Sequence, residues 1–177
     1  MAKWSGMKRF LLSSFSLLVL LVFSACSNFD ARFAKGVQGT RKDDQFSGTY
    51  AGRWMSSSHP GGEGKLWCIL SKLENIPCGH APRGSVAYMA EFKATWHGIH
   101  MSEHSVVLRT KPAISGKGSA PGARNFTGTA VLKTFIGAGT YHCEGSMDGA
   151  RMRACYDATY DRGTFELVRV KTPGTRR

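Results

Sequence analysis

Ser85-Val-Ala-Tyr-Met-Ala-Glu-Phe-Lys-Ala-Thr-Trp96 decides the fold class. Val86, Tyr88, Ala90, Phe92, Ala94 and Trp96 share one face, and the mostly polar set Met89, Glu91, Lys93 and Thr95 shares the other. A two-residue period belongs to a strand buried on one side and wet on the other. The texture recurs outward in both directions. Residues 46–54 put Phe46, Tyr50 and Trp54 on one face, and residues 65–72 centre on Leu66, Trp67, Cys68, Ile69 and Leu70. Downstream, residues 105–110, 124–134, 140–147, 150–159 and 163–170 read as further strands, with Phe126, Gly128, Ala130 and Leu132 facing together. Stretches rich in Gly, Pro and Ser separate them, above all 56–64 and 111–123. Asp148-Gly149 is the strongest hairpin signal, because Gly accepts the positive φ of a tight turn. Eight strands with close turns predict an all-β antiparallel meander, closed as a barrel or left as a half-open sheet or two-sheet sandwich. After residue 26 no long 3.6-residue apolar period runs free of Gly, so few helices are expected.

The first residues have another character. Met7-Lys8-Arg9 precedes about 14 mostly apolar residues, 10–23, ending Phe23-Ser24-Ala25-Cys26. A basic head and an apolar run shorter than the ~20 residues of a membrane span read as a secretory signal. MKRF at Met7 is the more usual opening. Two small residues and then Cys resemble the lipobox of bacterial lipoproteins, with Phe23 standing where that family usually has Leu. The resemblance implies cleavage after Ala25, diacylglycerol on the Cys26 thiol and an acylated new amino terminus. Ser27 after the Cys implies, by the family's sorting habit, the outer membrane facing the periplasm. On this reading residues 1–25 are the signal peptide, 26–45 the lipidated N-terminus and a flexible tether, 46–171 a barrel-like domain and 172–177 a basic tail. Losing Lys3, Lys8 and Arg9 with the leader takes the net charge from +12 to +9. That surplus favours anionic surfaces such as lipid headgroups or acidic glycans, while export disfavours nucleic acid.

Gly52-Arg53-Trp54 is similar to the Gly-x-Trp of lipocalins. The resemblance implies a lipocalin- or calycin-like barrel in which Trp54 packs across Arg169 of the last strand. The lipobox, the aromatic-Gly alternation and Gly163-Thr164-Phe165 near the end also resemble small uncharacterised all-β envelope lipoproteins, which implies no activity. Phe46-Ser-Gly-Thr recurs as Phe126-Thr-Gly-Thr, compatible with duplication of a four-strand unit or with chance alternation.

Beyond Cys26 stand Cys68, Cys78, Cys143 and Cys155, an even number in an exported domain. The pairings favoured are Cys68–Cys78 and Cys143–Cys155, the latter flanking the Asp148-Gly149 hairpin, each contributing ~2–3 kcal/mol. His97, His100 and His104, with Glu103, are weak candidates for Zn²⁺ or Cu²⁺ at a spacing matching no established motif. Residues 115–119 fall short of a phosphate loop, since Lys111 replaces the upstream Gly and Gly118 the hydroxyl residue. No cofactor is expected, and no nucleophile elbow or paired carboxylate is legible, so the chain reads as non-catalytic. Arg151, Arg153 and Arg169 are candidates for gripping anionic surfaces. If the sheet closes, Trp54, Tyr88, Phe92, Trp96 and Phe126 either face an apolar ligand or fill the core. The leading expectation is a membrane-anchored lipoprotein whose β-domain binds a ligand or envelope component. The alternatives are an inhibitor of a cell-wall enzyme, on a faint likeness of residues 141–143 and 155–157 to lysozyme inhibitors, or a small envelope hydrolase.

Overall fold

The computed structural model describes residues 27–38, 44–74, 84–100, 103–111, 122–134 and 137–170. Cys26, Cys78, the 115–119 loop and the basic tail lie outside them. One helix, α1 (Ser27–Gln38), precedes nine strands. These are β1 (Gly48–Ser56), β2 (Glu63–Lys72), β3 (Ala87–Trp96), β4 (Ile99–His100), β5 (His104–Thr110), β6 (Arg124–Thr134), β7 (Gly137–Met147), β8 (Arg151–Asp157) and β9 (Arg162–Arg169). All but β4 form an antiparallel ring that closes through β1–β9 and β2–β3 pairing, with β4 appended to β3. The meander is therefore a closed barrel of eight strands with one extra. Closure removes the free edges a flat sheet of this sequence would expose.

Alternation sets the interior. Tyr50, Leu66, Cys68, Leu70, Tyr88, Ala90, Leu108, Phe126, Met147, Met152, Ala154 and Leu167 point inward and form one core. Two glycines permit sharp turns of the wall. A Cβ on Gly52 would come within 2.0 Å of the Glu166 carbonyl oxygen, and one on Gly145 within 2.1 Å of that of Arg153. At these positions β1 approaches β9, and β7 approaches β8, more closely than a side chain would allow. The Asp148-Gly149 turn forms as read: Gly149 has φ 82°, and the Asp148 carboxylate accepts the Ala150 and Arg151 N–H groups.

Strands β1, β3, β6 and β8 run toward one end of the barrel, and the others return. Large residues pack the end where β1 begins. Tyr50 donates to the Phe46 carbonyl, and Asp44 accepts from Phe46 N, Ser47 and Tyr88 Oη. Arg169 completes this packed end. Its guanidinium lies 5.2 Å over the Tyr50 ring and donates to Tyr50 Oη (2.8 Å), Gly149 O (2.6 Å) and Gln45 O (2.5 Å). The expected Trp54–Arg169 packing is thus corrected. Register places Tyr50, not Trp54, opposite Arg169; Trp54 pairs with Phe165 further along and donates its indole N–H to the Thr95 carbonyl.

The 26–45 segment is not wholly a tether. Residues 27–38 form α1, an amphipathic turn-and-a-half on either side of Phe33, docked against the outside of β1 and β2. Phe29, Phe33 and Val37 recur every four residues, Asp30 lies in the first turn and Lys35 in the last, a helical pattern at low contrast. Phe29 is 1% exposed, stacks on Phe33 and lies under the Lys93 ammonium. Asp30 pairs with Lys93 and Arg32 with Glu91. Burying Phe29 contributes ~1.5–3 kcal/mol and dominates the docking, since each partly exposed ion pair is worth ~0–1 kcal/mol. Among the described residues no helix is long and apolar enough to cross a membrane.

Candidate ligand cavity

The far end of the barrel is filled differently. Small inward residues, Ala94, Ala130 and Cys143, face larger ones across the interior and leave a cavity of about 150 Å³. Trp54, Leu66, Phe92, Val106, Leu132, Tyr141, Tyr156 and Phe165 form most of the wall, with Asp161 as its carboxylate member. A cavity of this size with apolar walls is large enough to admit benzene and is not reliably wet. Phe92 and Phe165 meet edge to face at 5.6 Å within the wall. The half-buried His104 imidazole also lines it, and desolvation lowers that group's pKa, favouring the neutral ring.

A polar cluster stands at the rim. Buried Asp161 accepts hydrogen bonds from Ser56 Oγ (2.6 Å) and Tyr156 Oη (3.0 Å). Desolvation first, then the Asp161 carboxylate, pushes the Tyr156 phenol well above its ordinary range, so it stays a donor. Ser56 Oγ also accepts the Ser58 and His59 N–H groups. His59 Nδ1 lies 3.4 Å from Ser56 Oγ and 3.5 Å from Asp161. Although Ser, His and Asp meet here, the order is wrong for an activated nucleophile. The hydroxyl bonds the carboxylate directly, whereas a catalytic triad places the imidazole between them. The cluster ties the β1–β2 turn to the β8–β9 turn.

The five aromatic candidates divide. All face inward; Trp54 and Phe92 line the cavity, whereas Tyr88 and Phe126, 2% and 1% exposed, belong to the packed end. Trp96 is half-buried against the core at the cavity end and packs beside the His97 ring. Tyr141, Tyr156 and Leu132 also line the cavity, although the sequence places Leu132 only on the Phe126 face and does not offer these three as ligand-facing. Their signal was weak, because a wall is recognisable only once strand order shows which inward positions share a level.

The histidines do not converge. His97 and His100 are exposed on the β3–β4 hairpin, where His97 has φ 47°, while His104 faces inward. Among the described residues no three His, Cys, Asp or Glu side chains gather as metal ligands. The proposed Cys143–Cys155 bridge is corrected. Cys143 lies opposite Tyr156 and Cys155 opposite Glu144, so the thiols point to opposite faces of the wall, and both are free. Burial pushes the Cys143 thiol up to about 11 and raises that of the fully buried, free Cys68 further.

The basic candidates also separate. Arg151 and Arg153 lie on the outer face of β8, and Arg153 is engaged by Glu166 at 2.7 Å. Arg169 is turned into the packed end, so the three do not form one patch.

Searches of family models, of curated proteins and of solved structures returned no match to this chain.

Proposed function

We propose that this protein is a non-catalytic envelope lipoprotein, acylated on Cys26 and held at the outer membrane facing the periplasm, whose barrel takes the end of an apolar ligand. The observation that supports ligand binding is the cavity itself: about 150 Å³ bounded by Trp54, Leu66, Phe92, Ala130, Leu132 and Phe165 at one end of an otherwise packed interior. Close packing is the default for a protein interior, and an apolar void forfeits contacts that larger side chains would restore. A fatty-acyl end or a small ring restores them. The volume suits part of such a molecule and is below the 300–1,000 Å³ of pockets that enclose a drug-sized ligand. The anchor reading rests on the basic head, the apolar run and Ser24-Ala25-Cys26. The net charge of the trimmed chain favours an anionic membrane surface as its setting.

Two measurements on protein extracted from the envelope test this. Metabolic labelling with an alkyne palmitate should mark the wild type and not Cys26→Ala; equal labelling rejects acylation at that thiol. Native mass spectrometry should release an apolar molecule from the folded protein, and a spectrum of bare protein only, under conditions that retain a control carrier's ligand, counts against the cavity as a ligand site.

A further inference from the structure

We infer that the cavity end of the barrel faces the lipid bilayer, so that the cavity exchanges its occupant with membrane lipid; this rests on the membrane-anchor reading above. Three independent features of the fold point the same way.

The first is the direction of α1. Its early residues contact β3: Asp30 meets Lys93 in the half of the strand nearer the cavity end, and Arg32 meets Glu91 at the strand's middle. Its late residues lie over the start of β1, where a Cβ on Gly36 would come 2.6 Å from Thr49 Cγ2. Glu91, Ile69 and Thr49 share one register row, so the helix crosses β2 from β3 to β1, with its first turn on the cavity side of that row. Ser27 lies ~4.5 Å beyond Asp30 along the axis at 1.5 Å per residue. Lys93 is itself only three residues from Trp96, the last of β3. The chain thus enters the helix on the cavity side of mid-strand. Residue 26 is one peptide bond away, ~3.8 Å between Cα atoms. Acyl chains on Cys26, one residue before the helix, would therefore start from the cavity half of the barrel wall.

The second is where the exposed apolar side chains stand. Met55 (41% exposed), Ile99 (71%), Val131 (74%) and Tyr160 (64%) all lie in the half of the barrel that holds the cavity, at the ends of β1 and β6, on the β3–β4 hairpin and in the β8–β9 turn. Of the large apolar side chains exposed among the described residues, only Val168 (50%) lies toward the packed end. Protruding apolar groups at one end of a barrel suit a surface whose first few ångströms are headgroup and acyl boundary. Exposed Lys65 and Arg162 stand at that end, but so do Glu63, Glu103 and Asp157, so charge there is mixed and apolar content carries the orientation. The third is the cavity, whose apolar wall lies just inside this rim.

Depth-dependent quenching tests the orientation. Acylated full-length protein, purified from membranes, is reconstituted into phosphatidylethanolamine–phosphatidylglycerol vesicles, with or without bromine on the acyl chain near the headgroup. Ile99→Trp, Val131→Trp and Val168→Trp each add a fluorophore at a position already exposed, so folding is little disturbed. The emission added by Ile99→Trp and Val131→Trp should fall about twofold on brominated vesicles, consistent with insertion of ~5–10 Å, while that added by Val168→Trp is unchanged. Quenching of Val168→Trp equal to or above the rim variants, or of none of the three, overturns the orientation. Intact mass of the same samples separates the two claims. Acylated protein with unquenched rim tryptophans sinks the orientation alone, and unacylated protein with quenched rim tryptophans sinks acyl anchoring alone.

Discussion

Replacing Arg169 with Ala should weaken the barrel far more than replacing Arg153, although the two residues occupy neighbouring antiparallel strands. Arg169 faces inward and donates to two backbone carbonyls and the Tyr50 hydroxyl while covering the Tyr50 ring. It joins β9 to β1, to residue 45 and to the β7–β8 turn, so it fastens the packed end across the seam where the first and last strands meet. Hydrogen bonds from charged donors are worth ~1.5–3 kcal/mol when buried; taking ~1 kcal/mol for each of the three, two part-buried and one exposed, and ~0.5–1 for the ring contact, gives about 3–4 kcal/mol. At ~2–4 °C per kcal/mol for a chain of this size, Tm should fall by about 10 °C. Arg153 spans the outer face to Glu166, with both side chains about half exposed, and Arg153→Ala should unfold with the wild type within error. Arg169→Lys keeps the charge without the planar fork and should fall between Ala and wild type. Thermal and urea unfolding followed by tryptophan fluorescence measure all three. Coincident Arg169→Ala and wild-type transitions, or an equal loss for Arg153→Ala, would refute the assignment of the seam to Arg169.

Phe29→Ala should undock α1 without unfolding the barrel: hydrogen exchange should show amide protection falling over residues 27–38 and holding in β6–β9, and unchanged protection in α1 would show that Phe29 does not anchor it. The thiols should alkylate in a fixed order in native protein, exposed Cys155 first, Cys143 slowly, and buried Cys68 only on unfolding; a linked Cys143–Cys155 peptide in a non-reduced digest would contradict the register of β7 and β8. Acid should weaken the fold through Asp44 and Asp148. Burial alone would raise Asp44, but bonds from Ser47, Phe46 and Tyr88 outweigh it, and backbone N–H bonds from Arg151 and Ala150 depress Asp148. Depressed folded-state pKa values give stability that is complete above the unfolded carboxylate range, near ~4, and lost as pH falls through the lower folded values. Urea midpoints should therefore hold from neutrality to about pH 5 and drop below it, and Asp44→Asn should flatten that acid limb; an unchanged limb would remove Asp44 from the account.

The barrel was legible because its strands repeat one simple pattern. The alternation at residues 85–96 reports burial on one side only, and Asp148-Gly149 reports its own turn chemistry. What escaped depends on register, which sequence does not carry. A slip of one residue decides whether Cys143 meets Cys155 or Tyr156, and it turns a cross-strand pair into two thiols on opposite faces. Register likewise gives Arg169 to Tyr50 rather than Trp54. Helix α1 escaped because its apolar stripe is only three residues long, Phe29, Phe33 and Val37, in a polar segment containing Gly36, and it gains its stability from docking, not from propensity. The cavity escaped because it arises from several strands at once: Ala94, Ala130 and Cys143 are small and share one end, whereas Phe126, Met147 and Met152 fill the other.

Titrating the intact protein with a fatty acid brominated near its methyl end, while following tryptophan emission, tests the cavity most directly, because Trp54 forms part of its wall. Saturable quenching that disappears in Ala130→Phe, a variant whose added ring occupies the space, is the predicted result. Quenching that never saturates, or that persists unchanged when the cavity is filled, would contradict the account.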